Sequence, residues 1–408
     1  MKGRNNVTIM KEKSISFVLK ILKVGLVDVP QSIAPILIYT VLSMLYSNQN
    51  ISKGFSLTYP YQFLFMSICA VTVRAQLKSE AKSGSIGDRS YSGIIVWLLL
   101  AALIDCVSYM NIDSILKIFD ESADSAIIFM YGIIMLTLDY TIYYTVNIMQ
   151  YQEKFKRATI LTLSWYATRF ATAYAVSLFI SDYKQGLHLI TTIQIILLVL
   201  FLFFTVRPRQ FSISLRDGFK YSVNSLPHSI LMCLIYLFGY SKAANVDGGY
   251  FAAYNLEALC TDTQWDILSS GIDTAVTTEI CKNNTKNKKQ YIIGGILYSI
   301  LLYISSAVML LLYLNMFADV DSTKVWLIFI MECSGFPLYA IMYCIEAEIV
   351  IIKPLPVIAV LTVVRYVVRT VITMLASTPY AISFGVLTSL CLGLIQWGIV
   401  YKLAFGKK

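Results

Sequence analysis

Twelve apolar stretches, each about 20 residues or longer, limit this chain to very few folds. A helix rising 1.5 Å per residue crosses a hydrocarbon layer about 30 Å thick in that length. The stretches are 22–46, 57–78, 91–110, 125–150, 158–181, 186–206, 219–241, 249–280, 291–316, 323–350, 355–377 and 379–403. Only 14% of the 408 residues are charged and 57% are hydrophobic, where a soluble domain carries about 25% charged residues. Mean hydropathy is +0.67. The expected fold class is an all-α integral membrane protein with twelve transmembrane helices, and its first partner is the lipid bilayer.

The net charge of +9 could suggest a nucleic-acid ligand, but its placement argues for membrane orientation instead. Basic residues crowd the N-terminus (Lys2, Arg4, Lys11, Lys13) and the second, fourth, sixth and eighth loops: Lys78/Lys82/Arg89, Lys154/Lys156/Arg157, Arg207/Arg209/Arg216/Lys220 and Lys282/Lys286/Lys288/Lys289. The tenth loop has Lys353, and the chain ends in Lys402, Lys407 and Lys408. The odd-numbered loops are poor in Lys and Arg, and the third is acidic. Both termini are therefore expected on the cytoplasmic side, and no nucleic-acid partner is expected. No cleavable signal peptide is read at the start. The eight cysteines form no CxxC and no Cys/His cluster, so no metal site is indicated. The abundance of Ile, Lys, Asn and Tyr points to a bacterial source.

The two halves look like copies. At a shift of 200 residues, RSY (89–91) falls on KQY (289–291), Tyr143 on Tyr343, Tyr166 on Tyr366 and Arg169 on Arg369. VDVP (27–30) echoes NSLP (224–227) at nearly the same shift. Six spans per copy preserve the topology. The expectation is two pseudo-symmetric six-helix lobes, 1–206 and 221–408, joined by a cytoplasmic linker over 207–220 and enclosing a central cavity.

The eighth span is the most unusual. Gly249–Ile280 carries Glu257, Asp262, Asp266 and Asp273, with Glu279 at its end. At 3.6 residues per turn, Asp262, Asp266 and Asp273 share a face with Asn255, Ser269 and Thr277. Acids at membrane depth are costly and mark ion or substrate paths. Asp262 and Asp266, one turn apart, cannot both ionise cheaply, which suits proton exchange; with neighbouring oxygens they could instead surround a sodium ion. A purely structural, neutralised stripe is the bland alternative. Trp265 and Tyr254 are candidate cavity aromatics for a flat cation, although packing is their ordinary role. Elsewhere Asp139 and Arg169 reach similar depth on consecutive spans and are expected to pair. Glu332 and Arg369 are expected to form the mirrored pair, with Arg365 one turn from Arg369 as a counter-ion to the acids. Asp28, Arg74 and Asp105 lie near span ends and are expected to snorkel. Pro35 and Pro337 are candidate kinks.

PYQFLFMSICAVTVRAQLKSEAKSGSIGDRSYSG resembles the second and third helices of MATE-type exporters, and GGYFAAYNLEALCTDTQWDILSSGIDTAVTTEICKNNTKNKKQY resembles their counterpart in the second half. SWYATRF and VVRYVVRT sit where the fifth and eleventh helices of that family would start. The resemblance runs over nearly the whole chain. It extends to the wider superfamily that holds flippases of lipid-linked oligosaccharides and polysaccharides. It implies twelve helices in two lobes and alternating access. It does not extend to the usual coupling acids: QSIAPILIYTVLSMLYS after Pro30 has none, nor has HSILMCLIYLFGY in the seventh helix.

No Walker, GxSxG or HExxH motif is present, so enzyme chemistry is not expected. The leading expectation is a monomeric secondary antiporter exporting a small cationic or amphipathic compound, coupled to H+ or Na+, with no other cofactor. The alternative is a flippase for a lipid-linked sugar precursor, whose phosphate would call for cavity arginines. A scaffold that has lost transport is a third possibility.

Overall fold

The computed structural model describes the backbone of residues 2–48, 50–118, 123–206, 210–246, 248–282, 288–316, 321–375 and 380–406, and all regular structure among them is helical. The helices are α1 (Lys2–Leu45), α2 (Asn50–Cys69), α3 (Ala75–Ser83), α4 (Asp88–Met110), α5 (Ile112–Ile118), α6 (Ala126–Tyr151), α7 (Phe155–Phe179), α8 (Tyr183–Thr205), α9 (Leu215–Tyr221) and α10 (Ser225–Val246). They continue with α11 (Gly248–Cys281), α12 (Lys288–Met316), α13 (Ser322–Cys333), α14 (Phe336–Ile352), α15 (Val357–Leu375) and α16 (Ala381–Phe405). Among the described residues helix occupies most of each expected stretch, with the seventh interrupted at 222–224 between α9 and α10. Eight helical segments among the described residues are long and apolar enough to cross a membrane, which makes this a multi-pass membrane protein. Helix order repeats near the 200-residue shift: α4 starts at 88 and α12 at 288, α7 at 155 and α15 at 357, α8 at 183 and α16 at 381.

The chain forms two compact units, Val27–Cys233 and the combination of Met1–Leu26 with Leu234–Lys408. The divide expected at 207–220 is thus displaced. The reason is α9, which is held by the first-half helices. Gln76 donates to the Ser214 carbonyl at 2.8 Å and accepts from the Ser214 amide at 3.1 Å. Asp217 accepts from Ser79 at 2.8 Å and pairs with Arg89 at 3.1 Å. Conversely, the start of α1 joins the second-half helices: Lys20 pairs with Glu279 at 2.6 Å, and Phe17 packs on Tyr291 with centroids 4.8 Å apart.

In the Val27–Cys233 unit, α6 is the central post, packed by α2, α4, α7 and α8. Its buried face carries Thr137, Thr141 and Thr145, and Thr141 accepts from the indole of buried Trp97 at 3.1 Å. A π-helical turn, Ala70–Arg74, joins α2 to α3. Gly93 makes room for it, since a Cβ there would lie 1.9 Å from the Thr72 carbonyl oxygen. In the other unit, α14 packs against α11, α12 and α16, and α15 lies along α16.

Two expectations fail locally. The tenth stretch is two helices, α13 and α14, broken at Ser334–Gly335. Pro337 sits in the first turn of α14, where its missing N–H costs nothing, so it starts a helix instead of kinking one. Asp28 does not snorkel. It is 2% exposed and accepts from Gln150 at 2.8 Å, because α1 starts well before it and Asp28 lies inside the helix, not at its end.

Candidate functional site

In the Val27–Cys233 unit, α6 and α7 bring Asp139 and Arg169 together as an ion pair, with Arg169 almost wholly buried. The indole of Trp165 donates to the same carboxylate at 3.0 Å. One turn towards the start of α7, Tyr166 donates to the Gln31 carbonyl at 3.3 Å, and Gln31 donates to Thr162 at 3.0 Å. The charge of Arg169 is therefore balanced inside its own unit.

The corresponding place in the other unit is built differently. At the 200-residue shift Asp139 falls on Tyr339, so a phenol stands where the acid was. Tyr339, Tyr236, Tyr366 and Tyr254 are the phenols within electrostatic reach of Arg369. Glu332, expected to mirror Asp139, accepts from Ser383 at 2.8 Å. Arg365 is 4% exposed. Its Nη2 donates to the Tyr366 hydroxyl at 2.8 Å, and its guanidinium lies 4.6 Å from that ring's centroid. Its Nε and Nη1 have no hydrogen-bond partner among the described residues, and no described carboxylate lies within ion-pair distance. Gly393 supplies the space for Nη1, since a Cβ there would approach it to 2.7 Å. Nearby on α15, Thr362 accepts from Gln396 at 2.8 Å, echoing the Thr162–Gln31 bond of the first half.

The acidic stretch is one continuous helix, α11. Glu257 and Tyr254 are buried, and Asp273 is half-buried. The side chains of Asn255, Asp262 and Asp266 lie outside the described residues. Trp265 packs edge-on against Phe336 and Tyr339, with centroids 4.2 and 4.3 Å away. Trp265 thus bridges the α11 stripe to Tyr339, the phenol beside the arginines. Sequence reasoning picked out Arg365 and Arg369 but missed Tyr339, Thr362 and Gln396. Applying the 200-residue register to Asp139 and Thr162 would have found the first two.

No protein-family model and no curated protein matches the sequence. Solved structures do. A MOP-superfamily transporter from Pyrococcus furiosus, described as having a binding pocket of reverse polarity that suggests a different function, superposes with a TM-score of 0.70. It is 12% identical over 97% of this chain and 96% of that one. The eukaryotic MATE transporter AtDTX14 superposes at 0.65 with 11% identity, covering 97% of both chains. The fold is that of the MATE transporters. An outward-facing multidrug-resistance MATE transporter agrees, at 0.64 and 12% identity over 95% of this chain and 96% of that one. The family resemblance read from the helix 2–3 and helix 8 stretches is thereby upheld at the level of fold. On the MATE fold the Asp139–Arg169 pair is in direct contact, whereas Arg365 is a buried cation with two unbonded nitrogens and Glu346 within electrostatic reach but not in ion-pair contact.

Proposed function

We propose that the chain is a secondary transporter that moves an amphipathic compound bearing an anionic group, by alternating access of a twelve-helix, two-lobed MATE fold. The observation that supports the substrate's sign is Arg365: a guanidinium buried at membrane depth, with two nitrogens unbonded, a hydrogen bond to the Tyr366 phenol, and Glu346 within electrostatic reach but not in ion-pair contact. A buried cation left in that state is costly, and a substrate phosphate or carboxylate would engage those free N–H groups in charge-assisted hydrogen bonds. A flippase for a lipid-linked sugar precursor is the version of this reading with the matching chemistry. The reverse-polarity pocket ascribed to the Pyrococcus furiosus protein is a precedent on the same fold. No ATP-binding motif is present, so an ion gradient, H+ or Na+, is the proposed driving force. The basic even-numbered loops support cytoplasmic termini in a bacterial cell membrane. A monomer is the simplest assembly.

The second reading is export of a small cationic compound. It is favoured by the acids of α11, where Asp273 is half-buried on the face that Asp262 and Asp266 share by helical spacing. Proteoliposomes carrying an imposed pH or sodium gradient separate the two. Under the anionic reading, lipid-linked sugar phosphates move, Arg365→Gln abolishes the movement, and Arg365→Lys retains part of it. Gradient-driven flux of organic cations that survives Arg365→Gln would overturn it in favour of the second.

A further inference from the structure

A cavity of about 1440 Å³ is lined wholly by residues of the Val27–Cys233 unit. It lies where the ends of α3, α6 and α8 meet the starts of α4 and α7. Three of the basic even-numbered loops converge there. Its mouth is polar and charged, with Arg89, Lys154 and Arg157. Its apolar wall is mainly on α8, with Leu197, Leu200, Phe201 and Phe204, while α7 lines it with Ile160 and Leu161 and, deeper, with the polar Ser164 and Thr168.

The two α7 lining runs follow one helical face, 157, 160, 161, 164 and 168, and the α8 runs follow 197, 200, 201, 204 and 205. From Arg157 to Thr168 the groove descends about 16 Å at 1.5 Å per residue. That is about half of a 30 Å hydrocarbon layer, the depth of a single leaflet. Ile160, Leu200 and Phe204 are exposed, so the groove opens sideways where acyl chains would be. Its volume is larger than the roughly 300–1,000 Å³ of ordinary small-molecule pockets.

The lining carries three cations, Arg89, Lys154 and Arg157, and two carboxylates, Glu80 and Asp88, a net charge of +1. The Glu80 carboxylate already accepts from the Gly87, Arg89 and Ser90 amides and the Ser90 hydroxyl. Arg89 is paired with Asp217. Asp88 also stands at the rim and has interactions of its own. Lys154 donates to the neutral Gln152 at 2.7 Å, and Arg157 has no hydrogen bond or ion pair among the described residues. Two cations are thus available at the water end of an apolar, leaflet-deep slot.

We infer that this groove is a binding site for one anionic phospholipid of the cytoplasmic leaflet, its phosphate at Lys154 and Arg157 and an acyl chain along the α7–α8 wall. A juxtamembrane Lys or Arg contributes about 1 kcal/mol towards an anionic lipid, or about fivefold, so the pair is worth about 25-fold. The bound lipid would tie the α6–α7 turn to α8 and stabilise this unit whatever the transported substrate is.

The test is native mass spectrometry of the full chain in detergent, titrated with phosphatidylglycerol or with phosphatidylcholine of the same acyl chains. Phosphatidylglycerol should bind more tightly, and Lys154→Gln/Arg157→Gln should weaken it by about 25-fold while leaving phosphatidylcholine binding unchanged. Ser164→Trp, which fills the slot, should reduce both lipids. Size-exclusion profiles and melting temperatures of the variants without lipid, matched to the parent, exclude misfolding, and the surface pair Lys154/Arg157 is chosen for that reason. Phosphatidylglycerol binding unchanged in the double variant overturns the inference. So does full displacement of the lipid by equimolar glycerol phosphate, which would mark a simple anion site, or binding that Ser164→Trp does not touch.

Discussion

Asp139 on α6 and Arg169 on α7 close an ion pair inside the Val27–Cys233 unit, with Trp165 holding the same carboxylate at 3.0 Å. Two hundred residues on, Tyr339 and Arg369 occupy the same register without the acid. The repeat therefore preserves the cation and puts a phenol in the register position of the acid. One copy has an acid and an arginine in direct contact, and in the other the Arg365 guanidinium has two unbonded nitrogens.

Asp139→Asn should be strongly destabilising, by about 3–5 kcal/mol, because it strands a buried guanidinium. Thermal unfolding in detergent should fall sharply for that variant. Asp139→Asn combined with Arg169→Met should recover much of the loss, since the cation goes with the acid. A single variant as stable as the parent would mean that water reaches Arg169.

Glu80 caps α4 from outside the helix. Gly87, the residue before α4, has no side chain to do so, and Glu80 takes the amides of Gly87, Arg89 and Ser90 instead. A carboxylate at a helix N-terminus is also favoured by the helix dipole. Glu80→Ala should cost about 1–3 kcal/mol through unsatisfied buried donors. Hydrogen exchange should rise first at residues 87–90, ahead of the rest of the unit.

Gly93→Ala should be poorly tolerated. Its Cβ would sit 1.9 Å from a backbone oxygen of the π turn, which cannot move aside as a side-chain end can. Overpacking of this kind costs about 1–3 kcal/mol. Gly398→Ala on α16 is the control: nothing lies within 4 Å of the added methyl, and alanine's better helix propensity should leave stability equal or higher by up to about 1 kcal/mol. Membrane yield and unfolding temperature report both.

Neutralising α11 separates coupling from folding. Asp262→Asn and Asp266→Asn should each abolish gradient-driven transport while membrane insertion stays intact, if these acids carry the coupling ion. Flux under an imposed gradient, set beside protease protection of the loops, reads both properties. Normal transport in both variants would remove α11 from the mechanism.

Much of this protein was legible from local sequence. Whether 20 residues suit a bilayer is a sum over those residues alone, so most of each expected stretch lies on helix, with breaks in the seventh and tenth. The 200-residue register could be read because Tyr143, Tyr166 and Arg169 recur without gaps. The Asp139–Arg169 pair followed from depth on consecutive helices, which needs only counting along each span.

Partner choice needed tertiary structure, since it depends on which faces of remote helices meet. Glu332 on α13 accepts from Ser383 on α16, a contact between remote helices that counting along one span does not reveal. Likewise α9 reads as a linker by its charge, but Gln76, Ser79 and Arg89 fasten it to the first-half helices. Hydropathy and periodicity thus determined that the chain is a multi-pass bundle and where its helices run. The tertiary structure decided which buried charges are in direct contact: compensation is a property of a neighbourhood, and it is strongest from the groups that the fold brings closest.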